Sequence, residues 1–179
     1  MTTEEKITNF IKERVNLRNA QLGNVQMTEG QNKNGEQLFY IRTLLLEEPF
    51  ANTYKSEATY YFFTLTGEYA GSINTWVCNV NPPSQVEMEY WTNESLRNQG
   101  NVTVVAKEAI KDIFEDGIFD GLKVRRTFPM SHIESIVLSI NPTNYPSLAV
   151  AKKLGFNDEN KLNRSEYLES KNNKSIAKH

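Results

Sequence analysis

The sequence has little cysteine, no long apolar run and no excess of charge of either sign. Its 179 residues include one cysteine, Cys78, so no disulfide can form within the chain, which agrees with a reducing compartment. No apolar run approaches the ~20 residues that a membrane span needs, and the first residues lack the apolar core of a signal peptide. We therefore expect a cytoplasmic protein that makes no contact with a membrane.

The charges are balanced and interspersed, with 20 Lys and Arg against 22 Asp and Glu and a net charge of −2. This balance predicts no nucleic-acid partner. No His, Cys or Asp cluster has the spacing of metal ligands, so we expect no catalytic metal. His132 is interpreted as a loop histidine and Cys78 as a packed thiol. The length predicts one domain over residues 1–179, with a polar tail from about residue 170.

The most informative stretch of the chain runs from Val86 to Phe114. From Val86 to Trp91 two kinds of side chain alternate, which is typical of a strand with two different faces. From Val102 to Phe114 the apolar residues recur at the α-helical period and form one stripe. We therefore predict a strand, a turn and a helix.

The turn between them, Arg97 to Val102, contains Gly100 directly before the helix. A glycine there lets the backbone turn tightly and directs the first free amides of the helix outward. Those amides and the helix dipole favour an anion such as phosphate.

A second stretch, Ile133 to Phe156, is predicted to complete this unit. Ile133 to Ile140 is a strand that should lie parallel to the Val86 strand, because a helix connects the two. Asn144 should cap a helix that ends at Leu154, and Gly155 should stop it.

The other predicted elements surround this unit. Thr66, Gly67 and Glu68 should form a hairpin turn, and the strand before them is apolar on both faces, which favours a central place in the sheet. The elements are a helix from Thr3 to about Leu17, a loop from Ala20 to Glu36, and strands at Gln37–Leu46, Thr59–Thr66, Tyr69–Val77 and Leu162–Leu168. The segment Asn79 to Ser84 interrupts the strand pattern.

The turn is similar to a known motif. Arg97, Gly100 and Val102 resemble the acyl-CoA pyrophosphate loop of the GNAT N-acetyltransferase superfamily. Two further groups resemble the RimJ/RimL-like branch of ribosomal-protein N-terminal acetyltransferases. They are Glu87, Tyr90 and Trp91 in the strand, and Asn144, Ser147, Lys153, Gly155 and Phe156 in the second stretch. Together they cover about 70 residues in the order of the family.

The resemblance implies a mixed α/β domain: a twisted, mostly antiparallel sheet with one splayed parallel strand pair and helices on both faces. It also implies acetyl-CoA as co-substrate. The residues expected to bind it are Trp91, Thr92, Arg97, Asn98, Gln99, Gly100, Asn101, Val102, Asn144 and Ser147. Arg125 and Arg126 are either a solvated loop, which we favour, or a contact for the 3′-phosphate of CoA.

The resemblance gives fewer indications about proton transfer. Many superfamily members place a tyrosine acid where this chain has Ala151, so that acid is missing. The resemblance implies roles for Ser147 and for Glu166, expected in a last strand. Glu87, with Glu89 on the same strand face, is an alternative base. Three of these residues also have a purely structural interpretation. Ser147 would form a hydrogen bond at the end of a helix, and Glu87 and Glu89 would be solvated charges on a strand. We predict Glu87, Ser147 and Glu166 as catalytic residues.

The predicted function is transfer of an acetyl group from acetyl-CoA to a primary amine, by direct attack in a ternary complex. The acceptor is a protein N-terminus or a small amine, and the protein is a monomer or a homodimer. The alternative is an acyl-CoA-binding protein without turnover, motivated by Ala151 and by Val102 where the family prefers Gly or Ala.

Overall fold

The fold is known from a computed structural model, which describes residues 1–46, 55–78, 85–120, 123–124, 128–129 and 132–177. The described helices are α1 (Thr3–Arg14), α2 (Asn101–Phe114), α3 (Tyr145–Leu154) and α4 (Arg164–Ala177). The strands are β1 (Gln21–Leu22), β2 (Gln26–Met27), β3 (Phe39–Leu45), β4 (Lys55–Phe63), β5 (Tyr69–Cys78), β6 (Gln85–Thr92), β7 (Lys123–Val124), β8 (Phe128–Pro129), β9 (Ser135–Leu138) and β10 (Lys161–Asn163).

Eight of the described strands form one sheet in the order β1-β3-β4-β5-β6-β9-β10, with β2 also paired to β3. In the part of the chain that the structure describes, strands β7 and β8 pair only with each other. In the large sheet β6 and β9 are parallel, and the other pairs in the described part of the chain are antiparallel. This is the predicted mixed α/β architecture.

Helices cover both faces of the sheet because side chains alternate along each strand. On β4, Phe62 and Phe63 are both fully buried and point to opposite faces. Phe62 belongs to the core that α2 and α3 cover, whereas Phe63 packs with Ile7 and Ile11 of α1. The sheet therefore separates a larger core from a smaller one.

Most of the predicted elements are confirmed. The hairpin between β4 and β5 turns at Gly67, where the backbone φ is 89° and the amide donates to the carbonyl of Thr64. Strand β4 is central, as predicted. Helix α1 ends at Arg14 rather than near Leu17. The predicted loop from Ala20 to Glu36 contains the two short strands β1 and β2, because both pair with β3.

The predicted last strand at Leu162–Leu168 is wrong. The strand is only β10, and helix α4 begins at Arg164. Tyr167 and Lys171, one helical turn apart, both reach Oε2 of Glu115 at 2.6 Å. Residues four apart lie on the same face of a helix, so both side chains can reach one carboxylate. Most of the polar tail, through Ala177, therefore belongs to α4. The predictions for Asn79 to Ser84 and for Arg125 and Arg126 lie outside the described residues.

Candidate functional site

A gap opens where the parallel strands separate. β6 pairs with β9 only from Gln85 to Met88, opposite Ser135 to Leu138. β6 continues to Thr92 with β5 as its neighbour on the other side. Within the described residues, the last four residues of β6 therefore have a free edge toward β9, and the backbone groups that point to that edge, away from β5, are available to a ligand.

The start of α2 lies beside this gap. Gly100 is the N-cap residue, and its φ of 78° is in the left-handed region that glycine adopts without strain. It has no side chain to cap the helix, and no described side chain bonds to the first-turn amides of Asn101, Val102 and Thr103. Their N–H groups have no intrahelical acceptor and suit an anion.

Helix α3 forms the opposite wall. The Asn144 side chain accepts a hydrogen bond from the Ser147 amide at 3.3 Å, and Gly155 ends the helix with a φ of 94°. Tyr90 of β6 donates its phenol proton to the Ser147 carbonyl at 2.7 Å. Burial raises the pKa of Tyr90, so the phenol stays protonated and the bond persists at neutral pH. This bond joins β6 to α3 across the gap.

These walls enclose a groove of about 560 Å³, which we call the splay groove. All ten residues that were predicted to bind the cofactor line it. The structure therefore brings them together, and their role in binding stays a prediction. The other lining residues are Lys33, Tyr90, Leu96, Thr103, Pro146, Ala149, Val150 and Lys153.

The charged residues of the splay groove are all basic. Lys33, Arg97 and Lys153 line it, and no Asp or Glu is among its described lining residues. This local charge is opposite in sign to the net charge of −2 of the whole chain. Three cations and the free amides of α2 together favour a multiply charged anion.

Only one of the three predicted catalytic residues lines the splay groove. Ser147 is half-buried in its wall. Glu87 is half-buried on β6, on the face opposite Val86 and Met88, and does not line the groove. Glu166 is exposed on α4 and lines a different cleft between α2 and α4. The expectation that Glu166 lies in a strand is therefore wrong.

Two of the three basic groove residues, Lys33 and Lys153, were not predicted to bind a ligand. Lys153 belongs to the segment that carries the resemblance, but no role was given to it. Lys33 lies in a segment without a recognisable motif, and it reaches the groove through tertiary contacts that a single sequence does not reveal.

Outside the splay groove, the described residues offer few further groups for catalysis or metal binding. His132 lies before β9 with its Nε2 2.6 Å from Glu134, outside the groove. Among the described residues no group of three or more His, Cys, Asp or Glu could hold a metal ion. No helix within the described ranges has the length and apolarity to span a membrane.

Comparisons with known proteins give the family. The family of acetyltransferase (GNAT) domains matches residues 16–157 of the chain. This span exceeds half of the sequence, so the chain belongs to that family. The resemblance seen in the sequence is thereby confirmed at the level of the superfamily. None of the curated proteins compared with the chain matches it.

Several solved structures are similar to the chain at low identity. RimL, a ribosomal L7/L12 alpha-N-protein acetyltransferase in complex with coenzyme A, matches with 20% identity and a TM-score of 0.43, covering 56% of this chain and 48% of that one. The microcin C7 self immunity acetyltransferase MccE, in complex with acetyl-CoA and AMP, matches with 18% identity and a TM-score of 0.42, covering 56% and 47%.

An acetyltransferase of the GNAT family from Bacillus anthracis matches with 17% identity and a TM-score of 0.43, covering 55% of this chain and 51% of that one. The chain thus spans about half the length of the solved structures that it matches.

Proposed function

We propose that this chain transfers an acetyl group from acetyl-CoA to a primary amine. The observation that carries the proposal is the splay groove, which the first turn of α2 and three basic residues line beside the point where two parallel strands separate. A nucleotide diphosphate has the charge that this end of the groove favours. The extended arm of the cofactor fits the free edge of β6, whose backbone groups can pair with its amides.

We assign different steps of the reaction to different residues of the chain. Asn101, Val102 and Thr103 would hold the diphosphate through their amides, and Arg97 would add a charge-assisted contact. Acetyl-CoA, when bound, supplies a thioester whose carbonyl carbon is attacked by the amine. A backbone N–H at the open edge of β6, near Trp91 and Thr92, would polarise that carbonyl.

Proton transfer needs a donor for the leaving thiolate and an acceptor for the amine proton. Ser147 is the proposed donor, since it lines the splay groove. Its hydroxyl makes no hydrogen bond within the described residues, while its amide and carbonyl are both bonded. Glu87 is the proposed base, directly or through a water, and Glu89 is the alternative on the same face of β6. The amine would then approach from the α1 side of the sheet.

The acceptor class is proposed as a protein N-terminus or a small amine. The test is a thiol-release assay with acetyl-CoA and three acceptors: a peptide with a free N-terminus, a polyamine and an amino sugar. The matched controls are the same compounds with their amines already acetylated. We expect thiol release that requires a free amine, together with a product heavier by one acetyl group.

One residue favours the alternative of a binding protein without turnover. Ala151 is buried in α3 and supplies no proton at the place where many relatives are expected to have a tyrosine. The same assay separates the two proposals. Acetyl-CoA binding without thiol release for every amine supports the alternative, and absence of binding contradicts both.

A further inference from the structure

The segment Thr28–Gln37, between β2 and β3, lies across the start of α2, and we call it the strap. Its turn is held by Asn32, whose side-chain oxygen accepts from the amides of Asn34 and Glu36 at 2.9 and 3.0 Å. The Asn32 amide donates to the Glu36 carbonyl at 2.8 Å. The strap therefore has a defined shape although it is mostly exposed.

Two hydrogen bonds join the strap to the loop before α2. The Lys33 amide donates to the Gln99 carbonyl at 2.8 Å. The Asn32 side chain donates to the side-chain oxygen of Asn101 at 3.0 Å. Asn101 is only 2% exposed and also donates to the Leu96 carbonyl at 3.4 Å. These contacts hold the loop before α2 against the strap and against the start of the helix.

Further along α2 the strap is fastened again. The Glu29 amide donates to Glu108 at 2.6 Å, and Glu29 forms an ion pair of 2.9 Å with Lys111. The strap is thus attached both at the start of α2 and two turns later. It cannot move away from the loop without breaking several bonds.

This attachment places the Lys33 side chain over Gly100. A Cβ built on Gly100 would lie 3.3 Å from Cγ of Lys33 and 3.9 Å from its Cε. Lys33 lines the splay groove, and its ammonium has no hydrogen bond or ion pair among the described residues. A lysine next to the first-turn amides of α2, with no carboxylate among the described residues that line the groove, is placed to meet an anionic ligand.

We propose that Lys33 binds the diphosphate of acetyl-CoA and that the strap forms a second wall of the diphosphate site. This inference rests on the proposed function and extends it to a residue outside the loop motif. The strap supplies the cation, while the backbone of α2 supplies the directed donors. Because the Lys33 ammonium is exposed, its contribution should depend on salt.

The test compares Lys33→Met with wild type by calorimetry, using CoA and 3′-dephospho-CoA as ligands. We expect Lys33→Met to lower the affinity for both ligands by about tenfold, because both ligands carry the diphosphate. Lys33→Arg should restore most of the affinity. The matched control is Lys107→Met, since Lys107 is an exposed lysine of α2 that does not line the splay groove. Its effect should be less than twofold.

Each other outcome overturns a defined part of the inference. Unchanged affinity in Lys33→Met, or an equal loss in Lys107→Met, removes the role of Lys33. If Lys33→Met has a lower affinity for CoA but an unchanged affinity for 3′-dephospho-CoA, Lys33 binds the 3′-phosphate and the diphosphate assignment is overturned. Gly100→Glu separates this inference from the proposed function. If it abolishes binding while Lys33→Met does not, only the role of Lys33 fails; if neither variant changes affinity, the groove itself fails.

Discussion

At the scale of single residues, Ser147 is the proposed proton donor to the leaving thiolate. Its backbone groups hold α3 to Asn144 and Tyr90, whereas its hydroxyl is uncommitted within the described residues. Ser147→Ala should therefore lower kcat by ~10²-fold or more with little change in the affinity for acetyl-CoA. Steady-state kinetics would measure this. Ser170→Ala, an exposed serine of α4, is the control. Wild-type turnover in Ser147→Ala would exclude the role.

Glu87 is tested by the same kinetics. If it is the base, Glu87→Gln should lower kcat by ~10²–10⁴-fold. The affinity for acetyl-CoA should stay unchanged, because Glu87 does not line the splay groove. Glu89→Gln is the matched comparison on the same face of β6 and should cost less. A wild-type kcat in Glu87→Gln would transfer the role to Glu89 or to a water.

The site residues that could be predicted from the sequence are those whose backbone conformation or capping role depends only on residues near them in the chain. Gly100 and Gly155 adopt left-handed backbone, and Asn144 caps α3, because each acts within a few residues of its own position. Lys33 could not be predicted, since its contact with Gly100 joins residues that are distant in sequence. Glu166 was assigned to the wrong kind of element, and with it to the wrong surroundings.

At the scale of elements, one carboxylate at the end of α2 and a pair of aromatic rings join α4 to α2. Glu115 accepts hydrogen bonds from Tyr167 and Lys171 at 2.6 Å each, and the rings of Phe114 and Tyr167 are 5.3 Å apart. Burial alone would raise the pKa of Glu115, but the hydrogen bonds from Lys171 and Tyr167 outweigh it and lower the pKa. The ionised carboxylate therefore stabilises the docked helix.

This arrangement predicts how docking of α4 depends on pH. A pKa below the ordinary value of 4.5 means that the undocked state binds more protons in acid. The stabilisation is fully present above 4.5 and is lost as the pH falls through the lowered pKa. Hydrogen exchange in residues 164–177 should be slower in wild type than in Glu115→Gln at pH 7, and the difference should shrink in acid. Glu169→Gln, an exposed residue of α4, is the control. Equal protection at pH 7 would contradict the role of Glu115.

Long elements with a clear period were predicted well, and short ones were not. Helix α2 has a complete apolar stripe, and β4 and β5 are long alternating or fully apolar runs, so their patterns are unambiguous. Strands β1, β2 and β10 have two or three residues each, which is too short to show a period. Such short edge strands also limit pairing between molecules.

At the scale of the whole molecule, the two cores share the strands of one sheet. Tyr40 and Ile41 are adjacent residues of β3. Tyr40 belongs to the larger core, which α2 and α3 cover, and Ile41 belongs to the smaller core, which α1 covers. We therefore propose that residues 1–179 form a single domain that unfolds in one transition. The fluorescence of Trp76 and Trp91 and the far-UV circular dichroism should give the same midpoint in urea.

Truncations in the two cores should lower that same transition. Ile11→Ala and Ile110→Ala remove fully buried side chains from opposite faces of the sheet, and each should reduce the free energy of unfolding by ~2–5 kcal/mol. Both optical probes should shift together in each variant. Two separate transitions, or a shift seen by one probe alone, would contradict a single domain.

The central claim is that free amides at the start of α2 bind the diphosphate of acetyl-CoA, and calorimetry of Gly100→Glu tests it most directly. The variant places a carboxylate at the anion site, so acetyl-CoA binding should be lost. Gly67→Glu is the matched control, because Gly67 lies in the β4–β5 hairpin outside the splay groove, has a similar φ of 89°, and would also place an added Cβ 3.3 Å from a side-chain atom. Circular dichroism would verify that both variants are folded. We predict that Gly67→Glu binds acetyl-CoA like wild type, and equal affinity in folded Gly100→Glu would contradict the account.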